Sequence, residues 1–527
     1  MAGTAPEGNA HGGEPNDAAG RSDGGAGGSD GDSGRGSRRR RPVKPPSLTD
    51  ALLPIVLLAV LIAGSLLVFG LGALNGPIQV ALMACALVAA LIAVKNGHPW
   101  ARVQTAGQGA LSSLSSAIFI LLTVGALIGT WNLSGTIPTM VYYGIQLLSP
   151  SWYYAACALI CGIIALSIGS SWTTAATIGV GMIGIAGMLG VSPAITAGAV
   201  ISGAYLGDKL SPLSETSVLS AQMVKVDIYR HIRAQAWTSI PAFLIAFVVL
   251  LVIGLNSGTA AHPPLPETVE LHSLSSIFWI TPLNLLPLVL LIVLSILRVP
   301  AVVSLASPAL FAGVLGAFLQ PSVMADFVSG NGENPVVGSI KGVWLAMAGG
   351  FQIDTPYAEI NGLLSRGGMS SMLLTIWLII GAVTFGALLE EFGLIARLID
   401  PLIRAAKSRG ALYVTVFGFA FGLNVVAGDQ YIALVLPARV FRLEFARRGL
   451  APTNLSRLVA DSGTVTSALV PWNSCGAYMS AVLGVSTLLY LPFAIFNYAS
   501  PLLSILYGIT GFKIEKSTPA DEPVAAE

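Results

Sequence analysis

Residues 207–216, Gly-Asp-Lys-Leu-Ser-Pro-Leu-Ser-Glu-Thr, gather Asp208, Lys209, Glu215, three hydroxyl side chains and the helix-breaking Pro212. They do so in a chain that otherwise runs as a series of apolar spans. Burying such groups in hydrocarbon costs on the order of several kcal/mol apiece unless something binds them, so a membrane chain that retains them uses them. The spans are real: 54% of the 527 residues are hydrophobic and 10% are charged, where a soluble domain carries about 25% charge. The reading is an all-α polytopic membrane protein. Its net charge of +1 gives no electrostatic reason for a nucleic-acid partner.

Cys85, Cys157, Cys161 and Cys475 all fall in apolar segments. Cys157 and Cys161 are one helical turn apart, but no second ligand pair follows, so packing is the better reading than a metal site. The five histidines lie in the tail, in loops or at span ends. Proton chemistry at depth therefore falls to carboxylates.

Residues 1–47 are rich in Gly, Asp, Ser and Pro and are expected to form a disordered tail. Arg38–Arg41 and Lys44 place that tail in the cytoplasm by the positive-inside rule. The run 48–71 is expected to stay as a transmembrane helix rather than be cleaved. Further spans are expected near 78–94, 111–133, 234–255, 281–297, 299–319, 371–389 and 486–507. The chain divides into a first transmembrane repeat over 48–255, an external loop over 256–279, a second repeat over 280–512 and a cytoplasmic tail over 513–527. The loop carries Glu267 and Glu270 and no Lys or Arg, which puts it outside.

Two regions do not read as simple spans. The apolar run 411–423 makes a helix of about 20 Å, too short to cross, before Asn424, Gly428, Asp429 and Gln430 interrupt it. Basic residues flank 411–446 on both sides, as in a re-entrant hairpin with a polar tip, a form tolerated where the backbone lines an enclosed cavity. Residues 153–189 read the same way, with a tip at Gly169-Ser170-Ser171-Trp172-Thr173-Thr174.

A fixed offset of 259 relates the two regions: Gly169 to Gly428, Pro193 to Pro452 and Pro212 to Pro471. At that offset Ser170 corresponds to Asp429, Ser202 to Asp461 and Ser214 to Asn473. Repeats with matched interrupted segments point to a secondary transporter, and the loop charges suggest that the halves are inverted. A channel with a duplicated gate is a weaker alternative.

A helix broken at proline frees carbonyls and N–H groups near mid-membrane. Freed carbonyls and carboxylates suit a small hard cation, and half-helix N-termini suit an anion. The carboxylates favour the cation. The candidate cation- and proton-binding residues are Asp208, Ser211, Ser214, Glu215, Thr216, Asp429, Asp461 and Asn473. Ser170, Ser171 and Thr173 are candidate contacts at the hairpin tip. Several have plainer readings. Asp208 can cap a helix end, Glu215 can support an N-cap, and the tip residues can serve close packing. Arg457 precedes Asp461 by four residues, so one helical turn can pair them. An intramembrane enzyme is poorly supported, since the chain has neither an H-E-x-x-H helix nor a Walker-A loop.

The segment 207–216, followed by Asp227-Ile-Tyr-Arg-His231-Ile-Arg233, resembles the signature of the NhaC-type sodium/proton antiporters. The stretches 362–369 and 470–473 are similar to that family as well. The resemblance spans roughly 50–512. It implies membership of the ion-transporter superfamily, with inverted repeats, hairpins and broken helices. It implies exchange of external protons for internal sodium, centred on Asp208 and the break at 211–216. The chain departs from the family pattern at Glu215, where Asp is usual. Related members exchange organic acids such as malate and lactate, which makes an organic-acid or amino-acid exchanger the alternative. The reading requires no cofactor. Its partners are the transported sodium and protons and the lipid bilayer, with a homodimer left open.

Overall fold

A computed structural model describes residues 43–257, 267–328, 334–356 and 358–517. The N-terminal tail up to 42, the loop residues 258–266 and the C-terminal tail from 518 lie outside the described residues. Among the described residues the architecture is helical throughout. Seven helices are long and apolar enough to cross a membrane: Leu48–Asn75, Pro77–Lys95, Trp100–Leu133, Ile228–Asn256, Ala301–Leu319, Met369–Glu391 and Arg409–Val426. Two further pairs are sharply bent, Leu271–Ile277 with Pro282–Ile296 at 85° and Ser474–Leu483 with Thr487–Phe493 at 92°.

Local chemistry sets these ends. Ser47 caps the first helix and Asp50 returns a bond to the Ser47 backbone, a reciprocal capping box. Asp50 then ties this helix to the next through Lys95, at 2.7 Å. The helix Trp100–Leu133 starts well before the expected 111 and is 34 residues long, about 50 Å at 1.5 Å per residue. The expected last span over 486–507 is divided. Pro492 and Ala494 interrupt it, residues up to Phe493 bend back with Ser474–Leu483, and a separate helix covers Ile495–Thr510.

Both expected hairpins are present. In the first, Tyr153–Ile168 turns at Gly169 into a helix that runs through Ser171–Thr174, a π turn at Ala175–Gly179 and Val180–Met188. The Tyr153 hydroxyl donates to the Met182 carbonyl, which joins the far ends of the two arms. In the second, Arg409–Val426 turns into Gln430–Arg447. Tyr413 packs on Phe445 and Phe419 on Phe441, the pairing of antiparallel arms. Arg409–Val426 is longer than the apolar core suggested and is itself of spanning length. Asn424 stays helical, and polar residues inside a buried turn are why the hydrophobic run read short.

Each hairpin is followed by a broken helix. The first comprises Pro193–Leu210, a break at 211–214 and Glu215–Met223. The second comprises Pro452–Val459, a π turn at Ala460–Thr464, a 3-10 turn at Ser467–Leu469, a break at 470–473 and Ser474–Leu483. The 259-residue offset holds at the level of caps. Gly169 and Gly428 both take positive φ (76° and 64°), as do Gly190 and Gly449 (61° and 63°). Pro193 and Pro452 each begin a helix, and Ser170, Asp429, Ser214 and Asn473 are all N-caps.

Candidate functional site

The first broken helix lies hard against the first hairpin arm because glycine faces it. A Cβ at Gly203 would fall 2.2 Å from the Ala158 carbonyl oxygen, and one at Gly207 would fall 2.3 Å from the Ala165 carbonyl carbon. Small residues at four-residue spacing let helix backbones approach this closely. The approach carries Asp208 to the hairpin tip. Its carboxylate accepts from the Ser171 backbone N–H at 3.1 Å and from the Ser171 hydroxyl. Asp208 is buried, and so is Ser171. The carboxylate thus sits at the N-terminus of the tip helix, where the exposed N–H groups and the helix dipole favour negative charge.

The break completes the surroundings of Asp208. Its backbone carbonyl accepts from Ser217 Oγ at 2.6 Å and Thr216 Oγ1 at 3.3 Å. Ser214 caps the helix after the break and lies 3.0 Å from the Thr216 hydroxyl. The Ser211 hydroxyl accepts from Leu213 N–H. Helix Pro193–Leu210 runs up to the break, so Asp208 and Lys209 are helical rather than unwound. At the tip, the Ser170 hydroxyl accepts from the Thr173 N–H and the Thr173 hydroxyl, both at 3.2 Å. Four expected residues are therefore linked, Asp208 with Ser171 and Thr216, and Thr216 with Ser214, while Ser211 bonds within the break and Ser170 and Thr173 bond to each other at the tip.

The second half repeats this docking without the carboxylate. At the offset of the Ser171–Asp208 contact, Gln430 meets Ser467 at 3.5 Å. Asp429 caps the helix Gln430–Arg447, accepting from the N–H groups of Tyr431 and Ile432 at 2.7 and 3.1 Å. Asn473 caps Ser474–Leu483 and also donates to Asn424, at 3.1 Å to its side-chain oxygen. Asn424 in turn donates to the Gly463 carbonyl at 2.7 Å. The Ser474 N–H reaches the Gly428 carbonyl at 2.8 Å, so tip and break touch in this half too.

The halves meet at several points. Glu215, on the outside of its helix, accepts from the Tyr431 hydroxyl at 2.9 Å. Trp172 of the first tip stacks on Tyr478 at 4.0 Å between centroids, and the Tyr478 hydroxyl donates to the Trp172 carbonyl. Tyr205 and Ser467 hydroxyls are 3.4 Å apart.

Asp461 departs from the expectation. Its carboxylate pairs with Lys209, and both side chains are 0% exposed. Gln235 Nε2 at 2.9 Å, Ser500 Oγ at 2.7 Å and Thr238 Oγ1 at 3.3 Å donate to the same Asp461 oxygen. As a cation ligand Asp461 is already engaged by a fixed ammonium. The one-turn pairing with Arg457 does not form, because the π turn at Ala460–Thr464 widens the helix and shifts the register after Arg457. Arg457 donates instead to the Lys513 carbonyl at 3.1 Å. Sequence reasoning gave no signal for Gln235, Thr238 or Ser500. It noted Asn424 only as an interruption, and Trp172 only as part of the tip.

The chain is similar to known transporters over most of its length. A model of the "Na+/H+ antiporter family" matches residues 37–235 and 203–512. The chain is 36% identical to the Na(+)/H(+) antiporter NhaC of Alkalihalophilus pseudofirmus, over 83% of this chain and 91% of that protein. It is 34% identical to the malate-2H(+)/Na(+)-lactate antiporter of Bacillus subtilis, over 88% and 96%. It is 32% identical to the arginine/ornithine antiporter ArcD of Halobacterium salinarum, over 92% and 96%. With a match that runs through both hairpins, both broken helices and the buried Asp208 between them, this chain belongs to the Na+/H+ antiporter family.

Proposed function

We propose that this chain is a secondary active transporter that exchanges sodium for protons across the plasma membrane. The observation that carries the reading is the buried Asp208 carboxylate, held by Ser171 at a hairpin tip beside a helix break whose Thr216 and Ser217 hydroxyls donate to the Asp208 backbone carbonyl. Burial favours the protonated form of a carboxylate and a bound cation favours the ionised form, so at one site each ion displaces the other. That competition suffices for exchange without a further energy source. Glu215, Asp429 and Asn473 extend the site toward the second half. The two halves, repeated at one offset, act as inverted units that expose this site to either side in turn. Both termini face the cytoplasm, as the basic residues before Leu48 and after Thr510 support.

The test is exchange in everted vesicles. Sodium-dependent dissipation of an acid-inside pH gradient is expected for the native chain. The same signal is expected to vanish in Asp208→Asn while the protein stays folded in the membrane. Sodium-driven proton movement at native rates in that variant overturns the role of Asp208.

A second reading, organic-acid or amino-acid exchange, is favoured by the helix N-terminus at Ser474, where the cap Asn473 is uncharged and leaves the helix dipole to meet a substrate carboxylate. Two of the relatives bear names of that kind. Uptake of malate or arginine without a sodium or pH gradient identifies it.

A further inference from the structure

Beyond Asp208, three helices present buried polar faces to one another. The helix Ile228–Asn256 contributes His231, Gln235 and Ser239, one turn apart each. The second broken helix contributes Arg457, Asp461 and Thr464. The helix Ile495–Thr510 contributes Asn497, Ser500 and Ser504. All are buried. They are in register: Gln235, Thr238 and Ser500 reach Asp461, His231 Nδ1 lies 3.0 Å from Ser456 Oγ, and Asn497 donates to the Val465 carbonyl at 2.7 Å.

Many polar atoms along this seam have no hydrogen-bond partner among the described residues. They include donors, Arg457 Nε and Nη2, and acceptors, Asp461 Oδ2, Gln235 Oε1 and Asn497 Oδ1. His231 Nε2 and the hydroxyls of Ser239, Thr464, Ser504 and Tyr413 are in the same condition. The Tyr413 ring packs on Gly508 and its hydroxyl faces Arg457. Buried polar atoms left bare are costly, and a seam that leaves donors and acceptors bare together calls for a ligand that both donates and accepts. A carboxylate would satisfy only Arg457 and Tyr413, and would sit one turn from the Asp461 carboxylate. Water satisfies both kinds, with two to four bonds per molecule.

We propose that this seam is a water-binding inlet. It begins where Arg457 meets the Lys513 carbonyl, beside the exposed Arg230–Glu515 pair, and it ends at the Lys209–Asp461 pair that joins the halves. Taken with the exchange reading, on which this role rests, the inlet gives protons a route to the core that bypasses Asp208. Its hydration is measured without any exchange assay, so the two readings fail separately.

Radiolytic hydroxyl labelling of the full chain in lipid nanodiscs, read by mass spectrometry, tests it, because buried water generates the radical in place. Tyr413 is expected to be modified at a rate comparable with the exposed Tyr229. Tyr153 is equally buried but has its hydroxyl bonded to Met182, and it should stay silent. Ser504→Val, one turn from the Gly508 on which the Tyr413 ring packs, should abolish Tyr413 labelling in protein that remains monodisperse, and Ser504→Ala carries the test if Ser504→Val misfolds. Tyr413 as silent as Tyr153 overturns the inlet. So does suppression of Tyr413 labelling by added malate, which would assign the Arg457 end to an anion.

Discussion

Asp208 and Lys209 are neighbours in the chain with opposite attachments. Successive residues of a helix point about 100° apart, so Asp208 turns to its own hairpin tip while Lys209 crosses to Asp461 in the other half. One short segment thereby touches both the candidate site and the joint between halves. Removing one partner of a buried pair strands the other charge. Lys209→Met is expected to destabilise the protein by about 3–5 kcal/mol, and the double change Lys209→Met with Asp461→Asn to recover most of that. Thermal unfolding in detergent checks both, and a single variant as stable as the native chain removes the pair from the stability account. Glu215 makes a different prediction. Glu215→Asp should retain exchange, since the acid remains, but shift preference among lithium, sodium and potassium, because the shorter arm withdraws from Tyr431. Vesicle exchange with the three cations reads the shift. Lys209, Asp461 and Asp208 were all legible as unusual residues, whereas their pairing was not, because nothing in the chain links 209 to 461.

At the level of elements, the tips depend on glycine. Gly428 has a positive φ, and a Cβ there would fall 2.6 Å from the Ala382 Cβ. Gly428→Ala therefore meets both backbone strain, about 1–2 kcal/mol for a left-handed residue, and a clash that pushes the tip off its neighbour. Exchange activity should fall markedly, while Gly187→Ala, whose Cβ meets nothing within 4 Å, should leave it near native. Equal activity of the two variants would show that tip geometry is not limiting. The hairpins and breaks were readable from sequence because Pro, Gly and polar residues interrupt apolar runs. Their limits were less so. The π turn at Ala460–Thr464 carries no such punctuation, and it begins between Arg457 and Asp461, which do not pair.

For the whole molecule, the halves interlock through Lys209–Asp461, Trp172–Tyr478 and Glu215–Tyr431. On the proposed exchange, a cation bound between tip and break would belong to this folded arrangement and not to the unfolded chain, so its binding would add to stability. Sodium at a hundred times its dissociation constant should contribute about 2.7 kcal/mol, seen as a rise in melting temperature of the native chain that is absent in Asp208→Asn. A rise of the same size in both would place the ion elsewhere.

Sequence by itself determined the membrane class, the two hairpins, the repeat offset and Asp208 as the residue to watch. Each of these is local: an apolar run, a helix breaker or a charge where hydrocarbon should be. Only the tertiary structure decided that Asp208 meets Ser171 while Asp461 is taken by Lys209. Which buried charge stays available for a transported ion depends on which long-range partner reaches it first, and that is settled by how the two halves pack.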